Sequence, residues 1–192
     1  MDWIVIVFII FSITIMFLFM YGKRVQMDRL AILLECKEFE QFEKVANSRL
    51  TKLLVRHYDL EIAKLNFYIM KKEKVKIDAQ FDFLLKASKT EQQSLNLYVK
   101  AFEYYTYEKD GKRSKPLLNE LKKMVPEEIF DFFKMEYEIM INHSVDYIPQ
   151  LNQDIEKYEG QIRTVLLYLL KISYENNGEL KKVKEIARLL KE

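Results

Sequence analysis

The chain has 192 residues, a net charge of +2, one cysteine and two histidines. That near balance excludes the basic surplus a nucleic-acid binder needs. The single Cys36 excludes an intramolecular disulfide and fits a reducing compartment, and so few soft ligands leave little for a metal site.

The first element is the run from Trp3 to Tyr21, WIVIVFIIFSITIMFLFMY. It carries no charge, and its only polar side chains before Tyr21 are Ser12 and Thr14. Both hydroxyls can bond back to a helix carbonyl, so neither opposes burial in lipid. At a rise of ~1.5 Å per residue the run reaches roughly 27–29 Å, one hydrocarbon thickness. A cleaved signal peptide needs a basic start and small residues before the cut. Here the start is Met1-Asp2, and the run ends Phe17-Leu18-Phe19-Met20. The expectation is a transmembrane anchor over residues 1–23 and one helical domain over 24–192. Lys23, Arg24 and Arg29 follow the span and only Asp2 precedes it, so the positive-inside rule puts the amino terminus outside and the domain in the cytoplasm. Trp3 and Tyr21 stand where interfacial aromatics belong. The three cations also form a small patch facing lipid, although a topology signal accounts for them alone.

Beyond the anchor, Gly and Pro punctuate helices. Gly22 is expected to end the anchor helix, and Gly160 to close another after Tyr158-Glu159. Thr90 with Gln93 reads as a capping box. Lys109-Asp110-Gly111 and Asn176-Asn177-Gly178 read as turns. Pro126 opens a helix as Pro-Glu-Glu. Pro116 and Pro149 are expected in the first turns of helices that begin near Ser114 and Asp146. No stretch alternates with period two between turns, so the predicted class is all-α.

Apolar stripes at helical spacing run through Phe39, Phe42, Val45, Ala46 and Leu50, through Ile148, Leu151, Ile155 and Tyr158, and through Leu180, Val183, Ala187 and Leu190. Two segments, Ile129 to Ile141 and Ile162 to Tyr174, are apolar nearly all round and should be buried between neighbours. The last helix presents Lys181, Lys182, Lys184, Arg188 and Lys191 to solvent, as a terminal capping helix does.

Turn candidates near Cys36, Lys72, Asp110, His143 and Asn177 are spaced by 36, 38, 33 and 34 residues. A helix pair recurring at about 34 residues resembles the tetratricopeptide-repeat (TPR) superfamily, across residues 24–191. The last unit is the most similar: Leu167, Leu170 and Tyr174 precede Asn177-Gly178, and Val183, Ala187 and Leu190 follow. In the first unit Leu33-Leu34 precede Cys36-Lys37-Glu38-Phe39, with Phe42 and Ala46 after it. The chain departs from the family at Lys171, which stands at a small-residue position, and in its scarcity of Ala. The resemblance implies a TPR-like array of about five helix pairs, with an irregular helical bundle as the alternative.

Chemistry is sparse. His57 and His143 each sit near helix ends without a second candidate, Cys36 lacks a histidine partner, and Glu127-Glu128 is explained by its helix start. No phosphate-binding loop, HExxH, CxxC or GxSxG motif occurs. Tyr98, Phe102 and Tyr105 share one helix face, and two readings are open: repeat-to-repeat packing, or a partner groove on the concave side of the array. Lys109 to Arg113 reads as a solvated loop. The expected function is a membrane-tethered interaction module or scaffold that recruits protein partners. An obligate subunit of a membrane complex is the alternative, and an enzyme with an unrecognised site ranks third. No cofactor, nucleic acid or small-molecule substrate is expected.

Overall fold

The computed structural model describes residues 2–190, which form eleven α-helices and no strand. Lys191 and the side chain of Asp2 lie outside the described residues. The chain divides into two compact units, Met1–Thr90 and Glu91–Glu192.

The first unit is built on α1 (Asp2–Glu35), one unbroken helix of 34 residues, roughly 51 Å long. Its first half is apolar and exposed, and it is long and apolar enough to cross a membrane. Its second half is core. Leu30, Leu33 and Leu34 pack with Phe42, Val45 and Ala46 of α2 (Phe39–Asn47) and with Leu60, Ala63 and Phe67 of α4 (His57–Lys71). The Phe42 and Phe67 rings stack at 4.7 Å. Gly22 therefore does not end the helix. It lies inside α1 because Leu54 of α3 (Arg49–Leu54) presses on it, and a Cβ there would come within 3.1 Å of Leu54 Cδ1.

Two polar contacts fix α3 and α4 to α1. The Thr51 hydroxyl donates to the buried Gln26 Oε1 at 3.1 Å, and Lys23 pairs with Asp59 at 2.7 Å. Ser48 stops α2 in an extended conformation and caps α3 by accepting the Thr51 amide at 3.1 Å. That break takes Leu50 out of the α2 stripe and leaves it exposed. The last helix of the unit, α5 (Lys74–Ala87), packs along α4.

The second unit comprises α6 (Glu91–Tyr107), α7 (Gly111–Met124), α8 (Glu127–Met140), α9 (Ile148–Lys157), α10 (Gly160–Asn176) and α11 (Leu180–Leu189). Phe102, Leu118, Leu121, Phe133 and Tyr137 form one core cluster. Ile139, Met140, Leu151, Leu167, Leu170 and Ile186 belong to another. Gly111 is the first residue of α7, and a Cβ on it would meet Ile141 Cγ2 at 2.7 Å, so close approach of the chain selects glycine. Because α7 starts there, Pro116 falls in its second turn, beyond the first turn expected for it. The early start is capped by Asp110, which accepts the Arg113 amide at 3.2 Å, and by buried Ser114, whose hydroxyl donates to the Asp110 carbonyl at 3.0 Å.

Pro126 and Pro149 sit at the starts of α8 and α9. Gly160, at φ +60°, opens α10 instead of closing α9, whose helix has already ended at Lys157. Tyr158 follows that end and is exposed, while Leu151 is buried between Ile148 and Ile155, both half-buried. In α11 Ile186 is buried and Val183 and Leu190 of the expected stripe pack on the same core, while Leu180 is exposed. Lys181, Lys182, Lys184 and Arg188 face solvent.

One turn recurs. Lys37, Lys72, Lys109, His143 and Gly178 adopt the left-handed conformation, with φ between 56° and 75°, at intervals of 35, 37, 34 and 35 residues. Behind four of them the next amide closes a six-residue ring onto the preceding helix. These closures are Glu38 to Leu33 O (2.8 Å), Glu73 to Tyr68 O (3.1 Å), Asp110 to Tyr105 O (2.8 Å) and Glu179 to Tyr174 O (3.0 Å). Each donor is acidic and is the N-cap of the following helix, where its charge favours the helix dipole. The His143 turn is wider, with Ser144 reaching the Glu138 carbonyl at 3.0 Å. Four packed helix pairs follow these turns, α1–α2 and α4–α5 in the first unit and α6–α7 and α10–α11 in the second. Behind the wider His143 turn α9 packs on α10 and does not fold back along α8, so the expected series of five helix pairs is broken there.

Candidate partner-binding groove

The second unit carries an open groove of about 950 Å³. Its walls come chiefly from three helices: Glu103 and Tyr107 of α6, residues between Glu128 and Glu136 of α8, and Gln161 to Leu166 of α10. Tyr147, Gln150, Asp154 and Tyr158 complete the lining. The reason lies in the two helices that are apolar all round. Their carboxyl-terminal halves are buried among neighbours, whereas their amino-terminal halves turn Ile129 and Ile162 (56 % exposed) to the cavity mouth. Phe132, Met135, Val165 and Leu166 supply the apolar floor.

Five carboxylates line this space, Glu103, Glu128, Asp131, Glu136 and Asp154, with Lys134 the cation of the lining and Asp154 paired at 2.9 Å with Lys157 beside it. Glu136 is the unusual one. It is only 4 % exposed and has no hydrogen bond or ion pair among the described residues. Burial first, and then the neighbouring Glu103, push its carboxyl up to about 8. Burial also raises Glu103, with Lys100 opposing. Tyr107 is pushed up to about 12 by burial and by Glu136, Tyr168 and Glu103. Its ring lies 5.5 Å from that of Tyr168.

An unpaired carboxyl in a low-dielectric floor gains most from a cation delivered next to it, which would ionise it and satisfy it at once. Apolar walls and aromatic rims suit the stem of such a side chain. No histidine, cysteine, serine or threonine lines the cavity.

The aromatic trio named from the sequence lies elsewhere on α6. Phe102 is fully buried and meets Phe133 edge-on at 5.5 Å. Tyr105 is also buried; its hydroxyl accepts from Arg113 Nη1 at 2.9 Å, and that guanidinium stands 5.2 Å from the ring centre. Tyr98 is half-buried against the same core. Glu103 and Tyr107, on an adjoining face, reach the cavity. Glu136 went unread in the sequence, although a lone acid inside Phe132-Phe133-Lys134-Met135-Glu136-Tyr137 is the signal that could have found it.

The remaining candidates are dispersed. His57 is exposed, with Nδ1 3.8 Å from Glu61, and Cys36 is exposed in its turn. His143 occupies a left-handed turn with Nδ1 3.3 Å from Asn176 Oδ1. No cluster of His, Cys, Asp or Glu placed to hold a metal ion occurs among the described residues. On α1, Trp3 and Tyr21 are exposed, Arg24 lies 3.8 Å from Asp28, and Arg29 faces solvent. Compared with models of known families, with curated proteins and with solved structures, the chain matches none.

Proposed function

We propose that the chain is a membrane-tethered adaptor: α1 spans the bilayer, the helix hairpins form a TPR-like array on the cytoplasmic side, and the groove of the second unit holds a segment of a partner protein. The observation that carries this reading is the groove, lined by α6, α8 and α10, apolar in its floor and unpaired in charge at Glu136. The recurring left-handed turns support the repeat assignment. The acidic lining selects the occupant as a segment with Lys or Arg set among apolar side chains.

Random peptides displayed against the full chain in nanodiscs test this. Selected sequences should be enriched in Lys or Arg flanked by apolar residues. Glu136→Gln or Ile162→Asp should weaken their binding at least about ten-fold, equivalent to about 1.4 kcal/mol. Selected peptides indifferent to both substitutions would remove the groove from the proposal. Orientation is tested separately, with Cys36→Ser and a cysteine added after Glu192. An impermeant maleimide should label that thiol only in permeabilised cells, and labelling of intact cells would reverse the topology.

A further inference from the structure

We propose that α3 is a second, peripheral membrane contact, seated on the anionic headgroups beside the point where α1 leaves the bilayer. The inference rests on α1 spanning a membrane, and on how α3 is fastened to it. Leu54 packs on Gly22, one residue past the end of the apolar run, and Thr51 is hydrogen-bonded to Gln26. Gln26 stands roughly 7–8 Å beyond Tyr21 along the helix axis, and the headgroup layer is roughly 5–7 Å thick on each side. The helix therefore descends through that layer with its carboxyl end at the hydrocarbon boundary.

Its inward residues, Thr51 and Leu54, are spent on α1. Its outward residues have no such cover. Leu53 is 68 % exposed and Leu50 is exposed, flanked by exposed Arg49 and Lys52, while Arg56 beyond them is paired with Asp59 at 2.9 Å. From Ser48 to Tyr58 there is no carboxylate. An apolar side chain at acyl depth between cations at phosphate depth is the pattern of an interfacial helix. The basic side chains can snorkel while Leu53 sinks.

The test uses the full chain carrying Cys36→Ser and one new cysteine labelled with an environment-sensitive fluorophore. Leu53→Cys and Leu50→Cys probe α3, Phe11→Cys probes the span, and Val75→Cys (Val75 is 83 % exposed) serves as the solvent control. Nanodiscs contain phosphatidylcholine, alone or with roughly a quarter phosphatidylglycerol to supply the anionic surface, and a spin-labelled lipid as quencher, its label near the headgroup for the α3 and Val75 probes and near the acyl-chain end for Phe11. The Leu53 probe should be blue-shifted and quenched several-fold more than the Val75 probe, more so in anionic discs. Arg49→Gln with Lys52→Gln should abolish the anionic increment. Quenching at Phe11 with none at Leu53 above the Val75 level overturns this proposal and leaves the span intact. No quenching at Phe11 overturns the span, and this proposal with it.

Discussion

Phe102→Ala should destabilise the second unit by about 3–5 kcal/mol. The ring is fully buried, is met edge-on by Phe133 at 5.5 Å, and shares its cluster with Leu118, Leu121 and Tyr137. Truncation removes apolar transfer energy and leaves a hole that three helices cannot easily close. Phe102→Leu keeps most of the volume and should cost less than about 1.5 kcal/mol. Thermal unfolding of the full chain in detergent, followed by circular dichroism, separates the two. If the alanine variant melts with the parent, the α6–α8 packing described for this ring is incorrect.

The second large effect is a pH dependence centred on Glu136. An ordinary glutamate titrates near 4.5 when unfolded, and the buried carboxyl titrates near 8. A group raised in this way contributes stability that is fully present below the unfolded value and is lost as pH rises through the folded one. Between pH 5 and pH 8 the loss should be roughly 2–4 kcal/mol, a fall on the order of ten degrees in Tm. Glu103 faces the same cavity and reinforces the trend, since its own charge opposes that of Glu136. Glu136→Gln keeps the shape without the charge, so its Tm should change far less over that range. Parallel melting curves for both proteins across the range would exclude Glu136 as the source. The same variant is thus expected to bind peptide worse while being the more stable at pH 8, which separates lost recognition from lost folding.

Much of the fold was legible because it is written in local chemistry. Period-3.6 stripes in several segments and the lack of period-two alternation marked the chain as all-α, and the uncharged run from Trp3 to Tyr21 marked the exposed half of α1. The five turns were placed within about a residue by their polar character. Their common device was not read: Lys37-Glu38, Lys72-Glu73, Lys109-Asp110 and Gly178-Glu179 each pair a left-handed residue with an acidic N-cap. Lysine in that conformation carries no glycine-like flag, so the pattern shows only once the backbone is known. Tertiary contacts set the rest. Gly22 reads as a stop but lies under Leu54, and Gly111 reads as a turn but lies under Ile141. The groove was illegible for a related reason. Whether a helix that is apolar all round is buried or lines a cavity depends on which neighbour is missing, and that is not a property of its own sequence.

In the tethered reading, the continuity of α1 through Gly22 has a mechanical meaning. A flexible linker lets a domain sample a hemisphere above the membrane, diluting its binding surface over that volume. Here the span and the core of the first unit are one rod, bolted by Lys23–Asp59 and Gln26–Thr51. The unit is held at a fixed height and heading, and any tilt imposed on the span by bilayer thickness turns it through the same angle.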